Sequence, residues 1–576
     1  MMQSYKEHNI QELPLSSPFF RQKAERFLGE NGLRMEVLDV YCVIENESGK
    51  ILAGAGIRKD IIKCIAVAEE ARSEGLVAPL VSHLISLAAS RGISELKLFT
   101  KPENRAIFES LGFHLLASAP KALLMENGRG LERYCAYLRS MRKEGRCGVV
   151  VMNANPFTLG HRYLLEQAAA QVDTLFVIPV KEEGQRFSYE ERKAMIMASA
   201  YPACEQNYFL CSSPKNQFSS ASKIVVLEGS DYQISAATFP TYFLKDLSDA
   251  AETHIRLDLD LFQRYIAPAL NAEVRFVGSE PYDALTNHYN TIMKEALSEV
   301  VEIQRLTINV MPGNDRASTS LSASAVRAAL DRGSFREASA LCPESTWAYL
   351  LADLANRALR LELDLPLKPG LVCPDSCGAH KDMDYSTMHK GMAALRPFWP
   401  RMAMAGSAEQ LRQLGIEAEK AMLNATGGVN THRGAIFCLG LTMNAWMNGA
   451  HTEELMCLSI GKIAQGILAI NQTVKDLPPR AAMANAIGGY RQLFEDWLPY
   501  YASGAGELKT LLRIISMLDD TCVIKRAGEE RAQLVKQEAL TVPPMELCGR
   551  YAAEGISPGG AADMLALTIF IHSIIS

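Results

Sequence analysis

The pattern of apolar residues changes near residue 345, and this change constrains the fold more than any other feature. Before it, short apolar runs that suit β-strands alternate with helical patterns. After it, β-branched runs nearly vanish and apolar residues recur at helical spacing. Strands that alternate with helices favour a parallel sheet, whereas the second pattern predicts helices alone. We therefore expect a multidomain chain that ends in an all-helical domain.

The first 145 residues predict a small α+β domain. Apolar runs at 36–45 and 50–57 flank Asn46-Glu-Ser-Gly49, which is typical of a hairpin. Further strands are expected at 61–68 and 95–99, and helices near 80–88 and 104–111.

Residues 146–345 predict an α/β domain with a parallel sheet. Its buried-strand candidates are 148–152, 175–180, 224–227 and 274–277. We expect the Ser-rich stretch Ser213–Ser222 to be a surface loop. Residues 346–576 form the predicted helical domain, in which Ser407 caps a helix that ends at Gly427-Gly428.

Charge and cysteine usage narrow the classes of function. The chain has 59 Lys and Arg against 65 Asp and Glu, a net charge of −6, so we expect no nucleic-acid partner. Its longest apolar runs, 435–447 and 565–575, are shorter than the ~20 residues of a membrane-spanning helix, so no membrane partner is expected. The 13 cysteines lack C-x-x-C pairs, and the N-terminus lacks a signal-like apolar run. We expect reduced thiols and a cytoplasmic protein.

The most specific short motif is Asn153-Ala-Asn155-Pro-Phe-Thr158-Leu-Gly160-His161, between a strand and a helix. The glycine lets the backbone approach a phosphate at the helix N-terminus, where free N–H groups and the helix dipole favour anions. His161 can donate to a phosphate that becomes charged in the transition state. The alternative is an ordinary turn with a capping Thr158.

A second motif, Leu321-Ser322-Ala-Ser324-Ala-Val-Arg327, follows about 160 residues later. Ser322 would cap a helix whose start binds the β- and γ-phosphates, with charge-assisted hydrogen bonds from Arg327. The alternative is a capped surface helix with a solvated arginine. Lys181, after a predicted strand, can also reach a phosphate. The run Arg186–Arg192 belongs either to this site or to a solvated helix face.

These motifs resemble the [H/T]-x-G-H and I-S-x-S-x-x-R signatures of the nucleotidylyltransferase superfamily, and imply a Rossmann-like domain. Longer segments resemble citrate lyase ligase, namely 152–164, 228–235, 237–243, 263–270 and 276–281. The resemblance implies that ATP adenylylates acetate with release of diphosphate, and that acetyl passes to the prosthetic-group thiol of the citrate lyase acyl carrier subunit. We expect His161 to be catalytic. The expected ATP site comprises Asn155, Thr158, Gly160, His161, Lys181, Ser322, Ser324 and Arg327.

The first domain carries Arg72-Ser-Glu-Gly75-Leu-Val77, which resembles the phosphate loop of GNAT acetyltransferases. Residues 100–104 and 108–113 resemble the second half of that fold. Backbone N–H groups of such a loop can hold the diphosphate of a coenzyme A-like arm. We expect Arg72 and Gly75 to bind this arm. We expect a GNAT-like domain that binds this arm or the carrier protein, or that is only structural.

Polar clusters interrupt the apolar pattern of the helical domain, at 368–372, 378–384, 426–437, 519–526 and 557–563. Buried charges must be paired or bind something. Asp382 and Asp384 can share a divalent cation. Four basic residues can neutralise a polyphosphate, namely Lys381, Arg433, Lys525 and Arg526. For any one cluster the alternative is a helix cap or a surface ion pair.

The clusters resemble triphosphoribosyl-dephospho-coenzyme A synthase across nearly all of residues 346–576, with Arg433 in place of Lys. That family joins the ribose of ATP to dephospho-coenzyme A and expels adenine. Such a reaction needs acid–base groups and cations. We expect catalytic roles for Asp382, Asp384 and His432, ATP contacts from Lys381 and Arg433, and Mg²⁺ on the two aspartates.

The expectation is therefore a fusion of two citrate lyase maturation enzymes, with acetate, ATP, dephospho-coenzyme A and the acyl carrier subunit as substrates and partners. One alternative is that only one half is catalytic and the other docks the lyase or its carrier protein. Another is a plain adenylyltransferase, against which the long matched segments argue.

Overall fold

A computed structural model of the protein describes residues 9–201, 223–233, 247–279, 284–304, 307–308, 319–471 and 481–576. The predicted loop Ser213–Ser222 and the segment 237–243 lie outside these residues. The chain packs into two compact units, which are Met1–Asn155 with Tyr163–Arg192 and Ser219–Leu306, and Pro156–Arg162 with Lys193–Phe218 and Thr307–Ser576.

The first unit begins with a seven-stranded sheet in the order β1-β2-β3-β4-β5-β7-β6. The elements are β1 Ile10–Glu12, α1 Pro18–Glu30, β2 Val40–Glu45, β3 Ile51–Arg58, β4 Ile61–Val67, α2 Val77–Ser90, β5 Lys97–Thr100, α3 Arg105–Ser110, β6 His114–Ala119, β7 Ala122–Glu126 and α4 Gly130–Ser140. Neighbouring strands are antiparallel except β4 and β5, which run parallel and pair only at Ile61 with Lys97 and Ile62 with Leu98.

Local patterns explain these elements. Helix α2 buries Leu80, Leu84 and Ala88, which recur every four residues on one face. Strand β4 alternates partly and fully buried residues along its length, as expected for a strand. The predicted hairpin, strands and helices of this domain are confirmed.

The same unit contains a five-stranded parallel sheet in the order β10-β9-β8-β11-β12. The strands of this sheet and the helices between them are β8 Cys147–Met152, α5 Leu159–Ala169, β9 Thr174–Pro179, α6 Tyr189–Ala200, β10 Ile224–Val226, α7 Leu247–Leu261, α8 Ala267–Leu270, β11 Ala272–Gly278, α9 Ala284–Ala296 and β12 Val300–Ile303. The start of α5, up to Arg162, and the part of α6 from Lys193 onward belong to the second unit. From the central β8 the chain first adds strands on one side and then on the other. Such a switch point leaves a ligand crevice at the carboxyl ends of the strands. The predicted parallel sheet is confirmed.

From Glu344 onward, every regular element among the described residues of the second unit is helical. That unit contains β13 Thr307–Ile308, β14 Thr319–Ser320, α10 Ala323–Arg332, α11 Phe335–Ser339, α12 Glu344–Leu363, α13 Tyr385–Leu395, α14 Trp399–Ala403, α15 Ala408–Ala425, α16 Arg433–Met447, α17 Glu453–Asn471, α18 Ala481–Ile487, α19 Leu498–Tyr500, α20 Glu507–Met517, α21 Thr521–Ala527, α22 Glu529–Thr541, α23 Pro544–Glu554 and α24 Gly559–Ile575.

Helix α24 is apolar on nearly every face and packs against α12, α16 and α20, so it forms the centre of the helical domain. The Ser407 hydroxyl accepts from the Gln410 amide at 3.1 Å and caps α15, as predicted. Within the described ranges, each helix is too short or too polar to cross a bilayer.

Candidate functional site

A buried arginine braces the turns after β8 and β9. Arg192, on α6, is completely buried and donates to the carbonyl oxygens of Asn153, Val180 and Glu182 at 2.8, 2.9 and 2.9 Å. Burial lowers the pKa of the Arg192 guanidinium. The residue is therefore not part of a solvated helix face, and it holds the carboxyl ends of two neighbouring strands in place.

Asn155 and Lys181 lie just beyond those strand ends. Asn155 is 5% exposed, and its Oδ1 accepts from the Phe187 amide at 3.2 Å. Lys181 is half exposed, with its Nζ 3.9 Å from the Asp231 carboxylate. Both predicted ATP contacts therefore lie at the edge of the parallel sheet where ligands bind in this class of fold.

The T-x-G-H turn holds His161 in one orientation. The Thr158 amide donates to His161 Nδ1 at 3.0 Å, and the Thr158 hydroxyl lies 2.9 Å from the same nitrogen. Because Nδ1 accepts from an amide, the proton of the neutral ring is on Nε2. The ring also stacks on Phe157, with centroids 5.5 Å apart. The histidine therefore presents Nε2–H as an oriented donor.

The two predicted phosphate motifs meet in the second unit. A Cβ added to Gly160 would stand 2.9 Å from the carbonyl oxygen of Leu321. Ser322 follows directly and caps α10, because its hydroxyl accepts from the Ala325 amide at 3.1 Å. The Ser324 hydroxyl lies 3.0 Å from that of Ser322.

Arg327 is half-buried on the second turn of α10. In the first unit, Arg72 lies in a short 3-10 helix, Glu69–Glu74, between β4 and α2, and Gly75 ends this helix; both residues are exposed. Gly75 has a φ of +70°, a left-handed conformation that favours glycine.

In the helical domain, His380 joins three of the predicted clusters. Its Nε2 lies 2.8 Å from the Ser557 hydroxyl, and its Nδ1 lies 3.4 Å from Arg526 Nη2. A guanidinium only donates, so Nδ1 accepts and Nε2–H donates to Ser557. Burial and the charge of Arg526 lower the pKa of His380.

Two aspartates tie helix starts together in the same domain. Asp520 is 6% exposed and accepts from the amides of Cys522 and Ala561 at 2.8 and 2.9 Å. Asp563, partly exposed, lies so close to Gly434 that a Cβ there would stand 1.9 Å from its Oδ2. Burial and the nearby carboxylates of Glu362 and Asp520 raise the pKa of Asp563 well above its ordinary value.

His432 is another buried polar residue of the helical domain. It is 4% exposed, and its Nδ1 lies 2.8 Å from the Thr431 hydroxyl. Burial, then the charges of Lys368 and His389, lower the pKa of His432 to about 3. Lys368 is itself buried and donates to Glu362 at 2.7 Å. His432 is therefore neutral near pH 7.

Asp384 acts as a helix cap. Its Oδ1 accepts from the amide and the hydroxyl of Thr387, both at 2.7 Å, and these bonds lower the pKa of Asp384. The Asp382 side chain is 68% exposed, with Oδ1 3.9 Å from His380 Nδ1. Lys381 is exposed, and Arg433 forms an ion pair with Glu419.

The described residues contain no group of three or more His, Cys, Asp or Glu side chains that could hold a metal. The structure therefore offers no ready-made Mg²⁺ cage at the two predicted aspartates. Mg²⁺ commonly binds one or two carboxylates together with substrate phosphates. Two carboxylates would fit such an ion if substrate phosphates supplied further ligands.

Comparisons with known proteins match the two parts of the chain separately. Residues 147–207 and 214–350 match the model of the citrate lyase ligase C-terminal domain, and residues 348–478 and 478–576 match that of ATP:dephospho-CoA triphosphoribosyl transferase. A [citrate [pro-3S]-lyase] ligase of Klebsiella pneumoniae is 39% identical over 342 residues, which are 58% of this chain and 92% of the relative. A Pseudomonas syringae pv. syringae protein named "probable 2-(5''-triphosphoribosyl)-3'-dephosphocoenzyme-A synthase" is 37% identical over 267 residues, which are 39% of this chain and 92% of that protein.

The chain belongs to both families. The two resemblances expected from the motifs are thereby confirmed. The ligase family is further represented by the [citrate [pro-3S]-lyase] ligase of Escherichia coli strain K12, 38% identical over 338 residues, which are 56% of this chain and 88% of the relative.

Sequence reasoning did not select several candidate residues that the structure brings forward in the parts matched by the two families. In the ligase part it left Arg192 undecided, and only the buried neighbours of that residue resolve the question. In the synthase part it named the clusters that contain His380, Ser557, Asp520 and Asp563 but selected none of these residues. Each of these residues is polar in an otherwise apolar stretch, and this pattern could have identified them as candidates. The sequence did not show which of them contact one another.

Proposed function

We propose that the chain is a bifunctional enzyme of citrate lyase maturation. Residues 146–345 activate acetate and acetylate the acyl carrier thiol, and residues 346–576 make 2'-(5''-triphosphoribosyl)-3'-dephospho-coenzyme A. A GNAT-like domain occupies residues 1–145. The observation that carries this proposal is the side-by-side match of two families that serve one prosthetic group.

In the ligase reaction, the acetate carboxylate attacks the α-phosphorus of ATP and diphosphate leaves. Nε2–H of His161 donates to the phosphate oxygens as their charge grows. The start of α10, with Ser322, Ser324 and Arg327, holds the β- and γ-phosphates. Asn155 and Lys181 supply further ATP contacts. The carrier thiol then attacks the acetyl carbon and AMP leaves.

In the synthase reaction, the 2'-hydroxyl of dephospho-coenzyme A attacks C1' of the ATP ribose and adenine leaves. The raised pKa of Asp563 suits a group that keeps a proton and gives it to the departing adenine. Asp382, exposed beside His380, can accept the proton of the attacking hydroxyl. Lys381 and Arg433 neutralise the triphosphate, and Asp382 and Asp384 would hold a Mg²⁺ ion that would supply further positive charge there.

The first domain contributes the arm-binding step in this proposal. Its support is the loop at Arg72 and Gly75 together with the short parallel contact of β4 and β5, which ends after two residue pairs. Successive backbone N–H groups in such a loop suit a diphosphate. We also place the protein in the cytoplasm, since the cysteines in the described residues are free thiols.

One pair of assays tests the whole proposal. The full chain is incubated with Mg-ATP and either acetate plus deacetylated citrate lyase, or dephospho-coenzyme A. We expect AMP, diphosphate and reactivated lyase in the first assay, and free adenine in the second. Activity in only one assay would leave the other half as a docking module, and activity in neither would overturn the proposal.

A further inference from the structure

A cleft of about 370 Å³ lies at the amino edge of the parallel sheet in the first unit. The residues that begin β11 and precede β12 line it, among them Ala272 and Glu299. Asn155 and Lys181 follow the carboxyl ends of β8 and β9, at the opposite edge of this sheet. The cleft is therefore separate from those two proposed ATP contacts.

Arg275, on β11, lines this cleft although it is 5% exposed. Its Nε and Nη1 atoms are buried and have no hydrogen-bond partner among the residues that the structure describes. Nη2 donates to the Tyr289 hydroxyl at 3.5 Å and lies 3.9 Å from Asp258 Oδ2. The guanidinium also lies over the ring of Phe262, 4.3 Å from its centroid. Unmet donors on a buried charged group are costly, so this arginine is suited to a ligand acceptor.

The rest of the lining defines the ligand. Phe262, Pro268 and Leu297 provide apolar surface, and Arg142 adds a second guanidinium, which donates to Asn271 at 3.0 Å. Two glutamates also line the cleft: Glu299 forms an ion pair with Arg146, and Glu273 is the other. This balance of charge does not favour a highly charged anion. It suits a molecule with few carboxylates and a carbon skeleton.

We propose that this cleft binds a small organic acid, whose carboxylate accepts hydrogen bonds from Arg275 and whose carbon skeleton packs on Phe262, Pro268 and Leu297. The volume corresponds to about a dozen water-sized groups, which is small but within the usual range for ligand pockets. Hydrogen bonds between a guanidinium and a carboxylate are stronger than neutral ones, and stronger still away from water. The site is independent of both proposed reactions.

The test is calorimetric titration of the full chain in low-chloride buffer, with succinate and inorganic phosphate as separate probes. Arg275→Lys keeps the charge near Asp258 but removes the guanidinium geometry, and Arg142→Gln removes the outer guanidinium. Arg26→Gln is the matched control, because that side chain is 82% exposed and forms an ion pair with Glu30 one turn along α1. His161→Ala shows whether a probe binds at the proposed ATP site instead, because such binding would be weaker in this variant.

We expect succinate to bind the parent, Arg26→Gln and His161→Ala alike. The dissociation constant should rise at least about tenfold in Arg275→Lys and about threefold or more in Arg142→Gln. If Arg275→Lys does not fold, Arg142→Gln and a crystal structure with the carboxylate carry the test. Binding of phosphate alone, binding that neither variant weakens, or no carboxylate binding below about 10 mM would overturn the proposal.

Discussion

The backbone of Gly160 lies against the carbonyl of Leu321, so closely that a Cβ on residue 160 would stand 2.9 Å from that oxygen. The two residues belong to motifs about 160 positions apart, the T-x-G-H turn and the start of α10. A glycine is required here because a side chain would not fit. Its backbone conformation is not the reason, since the φ of Gly160 lies outside the left-handed region. This contact brings together two elements that the proposed ligase reaction needs at one triphosphate.

Gly160→Ala should lower acetate-dependent diphosphate release at least about tenfold. The added methyl group pushes the turn away from Leu321, and misplacement of about 1 Å can cost 10²-fold in rate. Gly29→Ala is the matched control, because no atom of the described residues lies within 4 Å of a Cβ at that helical glycine. Adenine release by the same sample should be unchanged. Full ligase activity in Gly160→Ala would show that this contact is not needed.

His161→Ala should reduce acetate-dependent diphosphate release by about 10²–10³-fold, because one oriented transition-state donor is lost. Thr158→Val should cause a smaller loss, since the amide bond to Nδ1 remains when the hydroxyl is gone. Both variants should release adenine at the parent rate. An unchanged ligase rate in His161→Ala would remove this histidine from the mechanism.

The cap and the proposed catalytic role of Asp384 can be separated. Asn caps a helix as well as Asp does, whereas Ala does not. Asp384→Asn should therefore keep the melting temperature but lower ATP-dependent adenine release at least about tenfold, as expected for loss of a charge that helps to hold the triphosphate and its cation. Asp384→Ala should lower both. If Asp384→Asn releases adenine normally with normal magnesium dependence, the residue is only a cap.

Gly434→Ala should abolish adenine release while acetate-dependent diphosphate release continues. A Cβ at this position would stand 1.9 Å from Asp563 Oδ2, so the start of α16 or the carboxylate must move. Gly415→Ala, where the nearest atom is 4.0 Å away, is the control on a neighbouring helix. Equal adenine release by both variants would argue against a role for Asp563.

The buried His432 should make the helical domain sensitive to acid. Its folded pKa is about 3 and its unfolded pKa about 6.5, so the unfolded state binds more protons between these values. The contribution of His432 to the free energy of unfolding is therefore fully present above about pH 6.5. It decreases as the pH drops below that value, by up to about 1.4 kcal/mol per pH unit for this one proton.

The four tryptophans all lie in the helical domain, so their fluorescence reports its unfolding within the full chain; they are Trp347, Trp399, Trp446 and Trp497. Urea unfolding at several values between pH 6.5 and 4.5 should show a shallower loss of stability in His432→Gln than in the parent. His83→Gln, in the first unit, should match the parent. If the free energy of unfolding depends on pH equally in the parent and in His432→Gln, then His432 is protonated in the folded state over this pH range.

Local sequence patterns were sufficient for the domain classes and both families. Leu80, Leu84 and Ala88 define a helix face by their spacing alone, and β8 and β9 are apolar runs of the length that a buried parallel strand requires. The motifs around Gly160 and Ser322 are contiguous, so their chemistry could be stated before any contact was known. Ser407 and its helix followed from capping rules.

Tertiary structure alone decided which polar residues meet and which are buried. His380 and Ser557 lie 177 residues apart, and no spacing rule brings them within 2.8 Å. The run that ends at Arg192 is compatible with a solvated face until the strand ends packed around it are seen. The spacing of apolar residues along the chain shows which face of a helix or strand is apolar, because that face is formed by residues close to one another in the sequence. The partner of a polar side chain depends on how elements pack, which sets both its hydrogen bonds and the desolvation that shifts its pKa.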